Sequence, residues 1–189
     1  MAGGRHNAFP RVDEIRAAMN SAQLSSLTLP LIELAHALAL DEQPQRGLRA
    51  LAAALSARVG YRLFTVLVLD RQAGLSRRYY SSQPDAYPTE DAKPIRADSE
   101  FYARVVAQGA PRICMDREAC KAAFPDHERI FSLGCESAVN VPVRWDGQTI
   151  ASLNLLHQAR WYGEDMLPEL AWYSAFAIPV IQKIINTTR

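Results

Sequence analysis

Two strand-like segments on either side of a two-residue turn constrain the fold of this chain more than any other feature. Residues 137–144 (SAVNVPVR) and 149–156 (TIASLNLL) are rich in apolar and β-branched side chains. Asp146 and Gly147 lie between them, and both residue types tolerate the positive φ angles of a tight hairpin turn. The sequence therefore predicts an antiparallel hairpin in the last third of the chain.

Helical patterns lie on both sides of this hairpin. Apolar residues recur at helical spacing over 31–38, 48–59 and 167–185. We expect the first of these helices to begin at Thr28, because Thr can cap a helix and Pro30 is tolerated in a first turn. Residues 1–27 are predicted to form an N-terminal tail with a short helix over 12–19, and residues 28–189 a single domain.

The middle of the chain predicts a second hairpin and several short elements. Residues 61–69 (YRLFTVLVL) and 75–82 (LSRRYYSS) read as paired strands. Short helices are expected over 100–108 and 117–124, with a brief strand at 111–114 between them. Helices, a hairpin, short helices, a hairpin and a long helix together predict an α+β fold with one antiparallel sheet.

The last third of the chain resembles the signature of GAF domains. The resemblance is carried by SAVNVPV at 137–143, Asp146-Gly147, IASLNL at 150–155 and YGED at 162–165. It implies a GAF-like, PAS-related central sheet of five or six strands. Terminal helices would cover one face, and a ligand pocket would lie under loops and short helices on the other. It also implies binding of a small metabolite and dimerisation through the N- and C-terminal helices.

Alternation along the last hairpin assigns its side chains to two faces. If Asp146 and Gly147 form the loop, Val143 pairs with Ile150 and Asn140 with Leu153. The face assigned to the helices then carries Val139, Val141, Val143, Ile150, Ser152 and Asn154. The face assigned to the pocket carries Ala138, Asn140, Pro142, Ala151, Leu153 and Leu155.

Asn140 is the central binding candidate on that pocket face. A buried amide offers a ligand both a donor and an acceptor, and it is costly to bury without partners. The alternative is that Asn140 bonds the backbone of a neighbouring loop.

The first hairpin adds polar candidates to the predicted pocket. If Asp70 pairs with Leu75, then Thr65, Arg78, Tyr80 and Ser82 share a face. Arg78 suggests a ligand with a carboxylate or phosphate, because a guanidinium binds such groups with two parallel hydrogen bonds. One alternative is a solvated edge strand with an exposed Arg78. The other is a one-residue shift in the hairpin register, which would place Arg77, Tyr79 and Ser81 on the pocket face instead.

Loop residues complete the set of ligand-binding candidates. Phe124, Asp126 and His127 lie where the resemblance places the lid of a GAF pocket, and Tyr87 follows the second strand as a further lid candidate. His127 could donate a hydrogen bond near neutral pH. The alternative is that Asp126 caps a helix whose first turn carries Glu128.

No pattern in the sequence predicts a catalytic residue, a metal site or a cofactor. The net charge is +1, and there is no basic stripe, so we expect no nucleic-acid partner. No apolar run reaches the roughly 18 residues of a membrane span. The three cysteines lack metal-ligand spacing and fit reduced thiols, which favours a cytoplasmic location.

The function predicted from these features is a small-molecule-binding sensory domain without catalytic output. One alternative is a thiol enzyme similar to free methionine sulfoxide reductase, which would use cysteines from the region of Cys114, Cys120 and Cys135. Ala138, however, stands where the strand of that enzyme family carries an acidic residue. The other alternative is a dimerisation module with no ligand.

Overall fold

A single antiparallel sheet of six strands forms the centre of the molecule. The computed structural model describes residues 21–89 and 92–188. The strands are β1 (Leu63–Asp70), β2 (Leu75–Ser81), β3 (Lys93–Pro94), β4 (Arg112–Cys114), β5 (Ser137–Trp145) and β6 (Gln148–His157). Their order across the sheet is β3-β2-β1-β6-β5-β4, and every neighbouring pair is antiparallel. The predicted α+β class and six-stranded sheet are confirmed.

Five α-helices and two short helical turns accompany the sheet in the described residues. The helices are α1 (Ser21–Leu38), α2 (Gln45–Arg58), α3 (Arg117–Ala123), α4 (His127–Ser132) and α5 (Leu167–Thr188). A π-helical turn spans Tyr102–Ala107, and a 3₁₀ turn at Glu164–Met166 precedes α5. The predicted helix over residues 12–19 lies outside the described residues.

Helix α1 is longer at its N-terminal end than the sequence pattern predicted. It is already helical at Ser21, so Pro30 lies within the helix and not in its first turn. Ala, Gln and Leu in the segment before Pro30 favour helix formation, which explains why the helix begins before Thr28. Helix α5 likewise continues through Pro179.

The turn at Asp146 and Gly147 creates the hairpin of β5 and β6. Their φ angles are 48° and 71°, the left-handed values that a two-residue hairpin turn requires. A bulge between Val143 and Arg144 then shifts the register by one residue. Asn140 therefore pairs with Asn154, and the predicted pairing of Asn140 with Leu153 is wrong.

A second bulge changes the hairpin of β1 and β2. Asp70 pairs with Leu75 and Leu67 with Arg78, as predicted. Between Val66 and Leu67 the register shifts, so that Val66 pairs with Tyr80. The extra residue is Tyr79 in β2, so Tyr80 and the residues after it point to the opposite face from the one that simple alternation assigns. Thr65 in β1 keeps its predicted face.

Helices α1, α2 and α5 cover one face of the sheet and form the main core with it. The strand residues of this core are fully buried and apolar: Phe64, Val66, Val139, Val141, Val143, Ala151, Leu153 and Leu155. The Arg58 side chain in α2 pairs with Glu169 in α5 at 2.8 Å, and the Ser174 hydroxyl donates to the Pro142 carbonyl at 2.6 Å. These contacts fix the helical layer against the sheet.

The short helices α3 and α4 and the π-helical turn lie on the other face. The Asp116 carboxylate caps α3 by accepting from the Ala119 amide at 2.9 Å. Cys120 and Ile130 from these helices are buried with Leu63 and Leu156 of the sheet in a smaller core. In the described segments, no helix combines the length and the apolar character that a bilayer crossing requires.

Candidate functional site

A cavity of about 190 Å³ lies between the sheet and the short helices, on the face opposite α1, α2 and α5. Its apolar lining consists of Leu67, Phe101, Ala123, Phe124, Ile130 and Leu156. Its polar lining consists of Thr65, Arg78, Tyr87, Arg112, Asp126, Asn140 and Asn154. Apolar walls with a few converging polar groups are the usual composition of a small-molecule site.

Two facing amides form the floor of this cavity. Asn140 Nδ2 donates to Asn154 Oδ1 at 2.7 Å, and the Ser152 hydroxyl donates to the same oxygen at 2.7 Å. Asn154 Nδ2 donates in turn to the Thr65 hydroxyl at 3.2 Å. All four residues are buried, so this network connects three neighbouring strands in the middle of the sheet.

Arg112 of β4 is buried beside this network, with 4% of its surface exposed. Its Nε donates to Asn140 Oδ1 at 2.9 Å, which fixes the orientation of the amide, since Nε can only donate. Its guanidinium carbon lies 5.6 Å from the ring centre of Phe101 and 5.2 Å from that of Phe124. The Glu100 carboxylate is 3.8 Å from Nη1 and mostly exposed.

Arg78, Tyr87 and Asp126 form the opposite wall of the cavity. The Tyr87 hydroxyl donates to Asp126 Oδ2 at 2.6 Å, and the Arg78 guanidinium stacks 3.9 Å above the Tyr87 ring. Arg78 also donates to the Pro88 carbonyl at 2.8 Å and lies 4.0 Å from Asp126 Oδ2. The loop after β2 is thus joined to the start of α4 by charge and hydrogen bonding.

Solved GAF domains share this architecture. The GAF domain of a phosphoenolpyruvate-protein phosphotransferase from Acinetobacter has a TM-score of 0.66 at 14% identity, over 87% of this chain and 95% of that one. The GAF domain of a two-component sensor histidine kinase from Bacillus halodurans has a TM-score of 0.62 at 10% identity, over 79% of this chain and 100% of that one. This chain has the GAF fold.

The GAF fold also occurs in an enzyme similar to this chain. Free methionine-R-sulfoxide reductase from Neisseria meningitidis, solved in complex with its substrate, has a TM-score of 0.56 at 20% identity. The match covers 84% of this chain and 93% of that one.

No protein-family model matches the chain, and no curated protein sequence matches it significantly. The GAF-like fold expected from the resemblance at residues 137–165 is confirmed by these structures.

Six of the nine predicted site residues line the cavity of this GAF fold. They are Thr65, Arg78, Tyr87, Phe124, Asp126 and Asn140. Asn140 bonds side chains of the sheet and not the loop backbone that was its alternative. Asp126 makes no capping hydrogen bond to α4 and accepts from Tyr87 instead.

Three predicted site residues lie away from the cavity. The bulge in the first hairpin turns Tyr80 towards the helices, where its ring centre is 5.6 Å from that of Phe64 and burial raises its pKa. The Ser82 hydroxyl accepts from the Phe64 amide at 2.9 Å. The His127 ring packs 5.5 Å from that of Phe131, with Nδ1 3.0 Å from the Phe124 carbonyl.

Sequence reasoning missed Asn154, Ser152, Arg112 and Phe101. The first two were assigned to the helix face, because alternation that ignores the extra residue Ile150 reverses the faces of every β6 residue after it. An amide within the apolar run of β6 marked Asn154 as a candidate in the same way as Asn140. Only the register of the strands, however, determines which face of the sheet Asn154 lies on. Arg112 lies in a three-residue strand, which is too short to show alternation.

The three cysteines are buried behind the cavity, and none of them lines it. Burial raises the pKa of Cys135 to about 11. A hydrogen bond between Cys114 and Cys120 lowers the pKa of Cys114 and raises that of Cys120. Among the described residues, no three His, Cys, Asp or Glu side chains come together as a metal-binding group.

A larger cleft of about 340 Å³ lies near the turn between β1 and β2. Its polar side chains include Asp70, Arg71 and Gln72, all of which are exposed turn residues. Such side chains are solvated without a ligand, whereas the amides beneath the smaller cavity are buried. The smaller cavity is therefore the better candidate for a binding site.

Proposed function

We propose that this chain is a sensory or regulatory domain that binds a small polar metabolite, without a catalytic step of its own. The observation that carries the proposal is the buried network of Arg112, Asn140 and Asn154 on the floor of the cavity. An apolar core at this place would be simpler to fold, because each buried polar group must find a partner. The polar floor is explained if its groups hold and orient a ligand.

The solved relatives agree with a sensory role. One of them is the GAF domain of a two-component sensor histidine kinase. By analogy we propose that occupation of the cavity alters the short helices above it, and that a partner surface detects the change. Reduced thiols at Cys114, Cys120 and Cys135 would suit a reducing compartment.

The competing proposal is a reductase, favoured by the Neisseria meningitidis structure and by the three neighbouring thiols. A thiol that attacks a bound ligand must reach it as a thiolate. Cys114, Cys120 and Cys135 lie outside the lining of the cavity, and the raised pKa of Cys135 keeps that thiol protonated at neutral pH. The geometry therefore favours binding over thiol chemistry.

Filling the cavity with a side chain tests the proposed binding site. Ala123→Trp in α3 places an indole in the cavity lining, and Ala122→Trp places the same group on the exposed side of that helix. Mass spectrometry of the native purified chain, and melting with a panel of metabolites, would detect a ligand. We expect bound compound and stabilisation in the wild type and in Ala122→Trp, and neither in Ala123→Trp.

Two results would contradict this proposal. One is stabilisation by a metabolite that is equal in all three proteins, which would place binding elsewhere. The other is turnover of free methionine sulfoxide with a thiol reductant that is lost in Cys135→Ser. That second result would establish the reductase in place of the sensor.

We also propose a homodimer formed through the outer surface of the terminal helices. Within these helices Leu31, Leu34 and Ile181 are buried and occupied within the molecule. Leu29 and Ile32 of α1 are 61% and 58% exposed and remain as candidates. Light scattering should show a dimer that Ile32→Glu dissociates, and a monomeric wild type at micromolar concentration would contradict it.

A further inference from the structure

The geometry of the cavity points to the chemical class of its ligand. We infer that the ligand is a small monocarboxylate with an apolar body, bound by the two terminal guanidinium nitrogens of Arg112. This inference rests on the proposed binding function and adds the recognition chemistry to it. Three observations carry it: the unfilled donors of Arg112, the charge of the lining and the apolar walls.

Arg112 is buried with part of its hydrogen-bonding capacity unused. Its Nε bonds Asn140, but among the described residues neither Nη1 nor Nη2 donates a hydrogen bond. Glu100 approaches Nη1 only to 3.8 Å and is 67% exposed, so solvent weakens that pair. A buried guanidinium whose charge is only weakly paired is costly. Two donors on one planar fork match the two oxygens of a carboxylate.

The arrangement around Arg112 holds the fork in a fixed direction. Asn140 accepts from Nε, and its own amide is fixed by its bond to Asn154. Phe101 and Phe124 lie near the guanidinium within the distance at which aromatic rings attract cations. Asn140 is therefore a positioning residue for Arg112, and the ordering of the fork does not have to occur on binding.

The described residues that line the cavity carry more positive than negative charge. They include the cations Arg78 and Arg112 and the anion Asp126. Asp126 and the Pro88 carbonyl already contact Arg78. In the part of the chain that the structure describes, Arg112 has only the distant and exposed Glu100 as an anionic partner. One negative charge on the ligand would neutralise Arg112, whereas a phosphate dianion or a dicarboxylate would bring a charge without a partner.

The remaining lining gives the ligand an apolar body. Phe101, Phe124, Ile130, Leu67 and Leu156 contact the cavity with aromatic or aliphatic surface. The cavity has a volume of about 190 Å³. This is below the roughly 300 Å³ at which pockets for drug-sized molecules begin. A short alkyl or single-ring carboxylate fits these limits.

Calorimetric titration of the full chain can test the ligand class directly. The probes are butyrate, hexanoate, benzoate and phenylacetate, each with its primary amide, together with succinate and inorganic phosphate. We expect at least one monocarboxylate to bind about tenfold or more tightly than its amide, because the amide cannot accept from both nitrogens of the fork. This comparison uses the wild-type protein and does not depend on a variant.

Substitution of Arg112 tests the residue assignment. In Arg112→Gln we expect an affinity for that carboxylate that is about tenfold to hundredfold lower, and in Arg112→Lys an intermediate loss. Arg96→Gln is the matched control, because Arg96 lies on the surface and pairs with Asp98 away from the cavity. Its affinity should equal that of the wild type.

Several outcomes would overturn the inference. Equal binding of carboxylates and amides, tighter binding of succinate or phosphate, or no binding by any probe would each exclude the monocarboxylate assignment. A metabolite of another class that binds the wild type but not Ala123→Trp would leave the proposed function intact. If that variant comparison also fails, both proposals fall.

Discussion

The two faces of the strands β5 and β6 differ in almost every respect although they belong to the same backbone. Towards the long helices, the strands present valine, leucine and alanine that are completely buried. Towards the short helices, they present Asn140, Ser152 and Asn154, which bond one another beneath a cavity. The first face is covered by side chains of the protein, whereas the second leaves a cavity in which we propose that a ligand binds.

One face of the sheet therefore stabilises the folded chain, and the other is the face that we propose binds a ligand. Tight apolar packing contributes most of the favourable free energy of folding. The polar floor contributes less, because its hydrogen bonds replace bonds to water. If the comparison is correct, substitutions of similar size should have unequal effects on the two faces.

The largest effect is expected from truncation on the helix face. Leu153→Ala should lower the free energy of unfolding by about 3–5 kcal/mol, because it leaves a void in a closely packed core. Leu67→Ala, in the neighbouring strand but beside the existing cavity, should cost about 1–2 kcal/mol, because little new void is created. Urea denaturation of both variants measures the difference. Equal losses would show that the two faces are packed alike.

A smaller effect is expected from the amide pair on the cavity face. Asn140→Ala and Asn154→Ala should each cost about 1–3 kcal/mol, because each leaves buried partners unsatisfied. The double variant should cost about 1 kcal/mol less than the sum, because the bond between the two amides can be lost only once.

Chemical denaturation of the four proteins completes this double-mutant cycle. The pair Ser174→Ala and Asn140→Ala provides a control across the sheet, since the Ser174 hydroxyl bonds the Pro142 carbonyl on the helix side. Strict additivity of the two amides would mean that they do not act as a network.

The contrast between the faces also explains how much the sequence could predict. Asp146 and Gly147 define a hairpin by local backbone geometry, and the apolar stripes identify the helices, so the α+β class followed from short-range patterns. The GAF-like arrangement was expected from the resemblance at residues 137–165. The face of Asn140 was predicted correctly because alternation within β5 continues unbroken from residue 138 to residue 143.

The site was predicted less completely because bulges and long-range pairing determine it. The extra residue Ile150 reversed the predicted faces of the rest of β6, and the extra residue Tyr79 in β2 moved Tyr80 out of the pocket. No local pattern specifies such a bulge. Arg112 meets Asn140 only because β4 pairs with β5, which is a contact across 28 residues of sequence.

A third prediction concerns the wall of the cavity. Tyr87→Phe removes the hydrogen bond to Asp126 and should cost about 1 kcal/mol, because the partner carboxylate is partly exposed and can bond water. Hydrogen exchange should also become faster in the loop after β2. Tyr79→Phe on β2 is the control, because no hydrogen bond of its hydroxyl occurs among the described residues. Identical exchange in both variants would show that Tyr87 does not hold the loop.

An effect that is absent near neutral pH and appears only in alkaline solution is expected from the thiols of the smaller core. Burial raises the pKa of Cys135 to about 11 from an ordinary value of 9. The raised pKa in the folded state means that the stabilisation by the neutral thiol is complete below about pH 9. It is lost as the pH rises towards about 11. Relative to Cys135→Ala, the wild type should therefore lose free energy of unfolding over this interval.

Thiol labelling tests whether the cysteines behind the cavity are shielded by packing or accessible from the cavity. At pH 8 the buried thiols Cys114, Cys120 and Cys135 should react slowly with a disulfide reagent in the native chain, and all three should react rapidly in urea. Cys114 should react first in the folded protein, because the Cys120 hydrogen bond and the nearby Arg112 lower its pKa. Rapid labelling of Cys135 in the native state would mean that the cavity extends to the thiols. The smaller core would then not be closely packed around Cys135, and Cys135 would be accessible to act as the nucleophile that the reductase proposal requires.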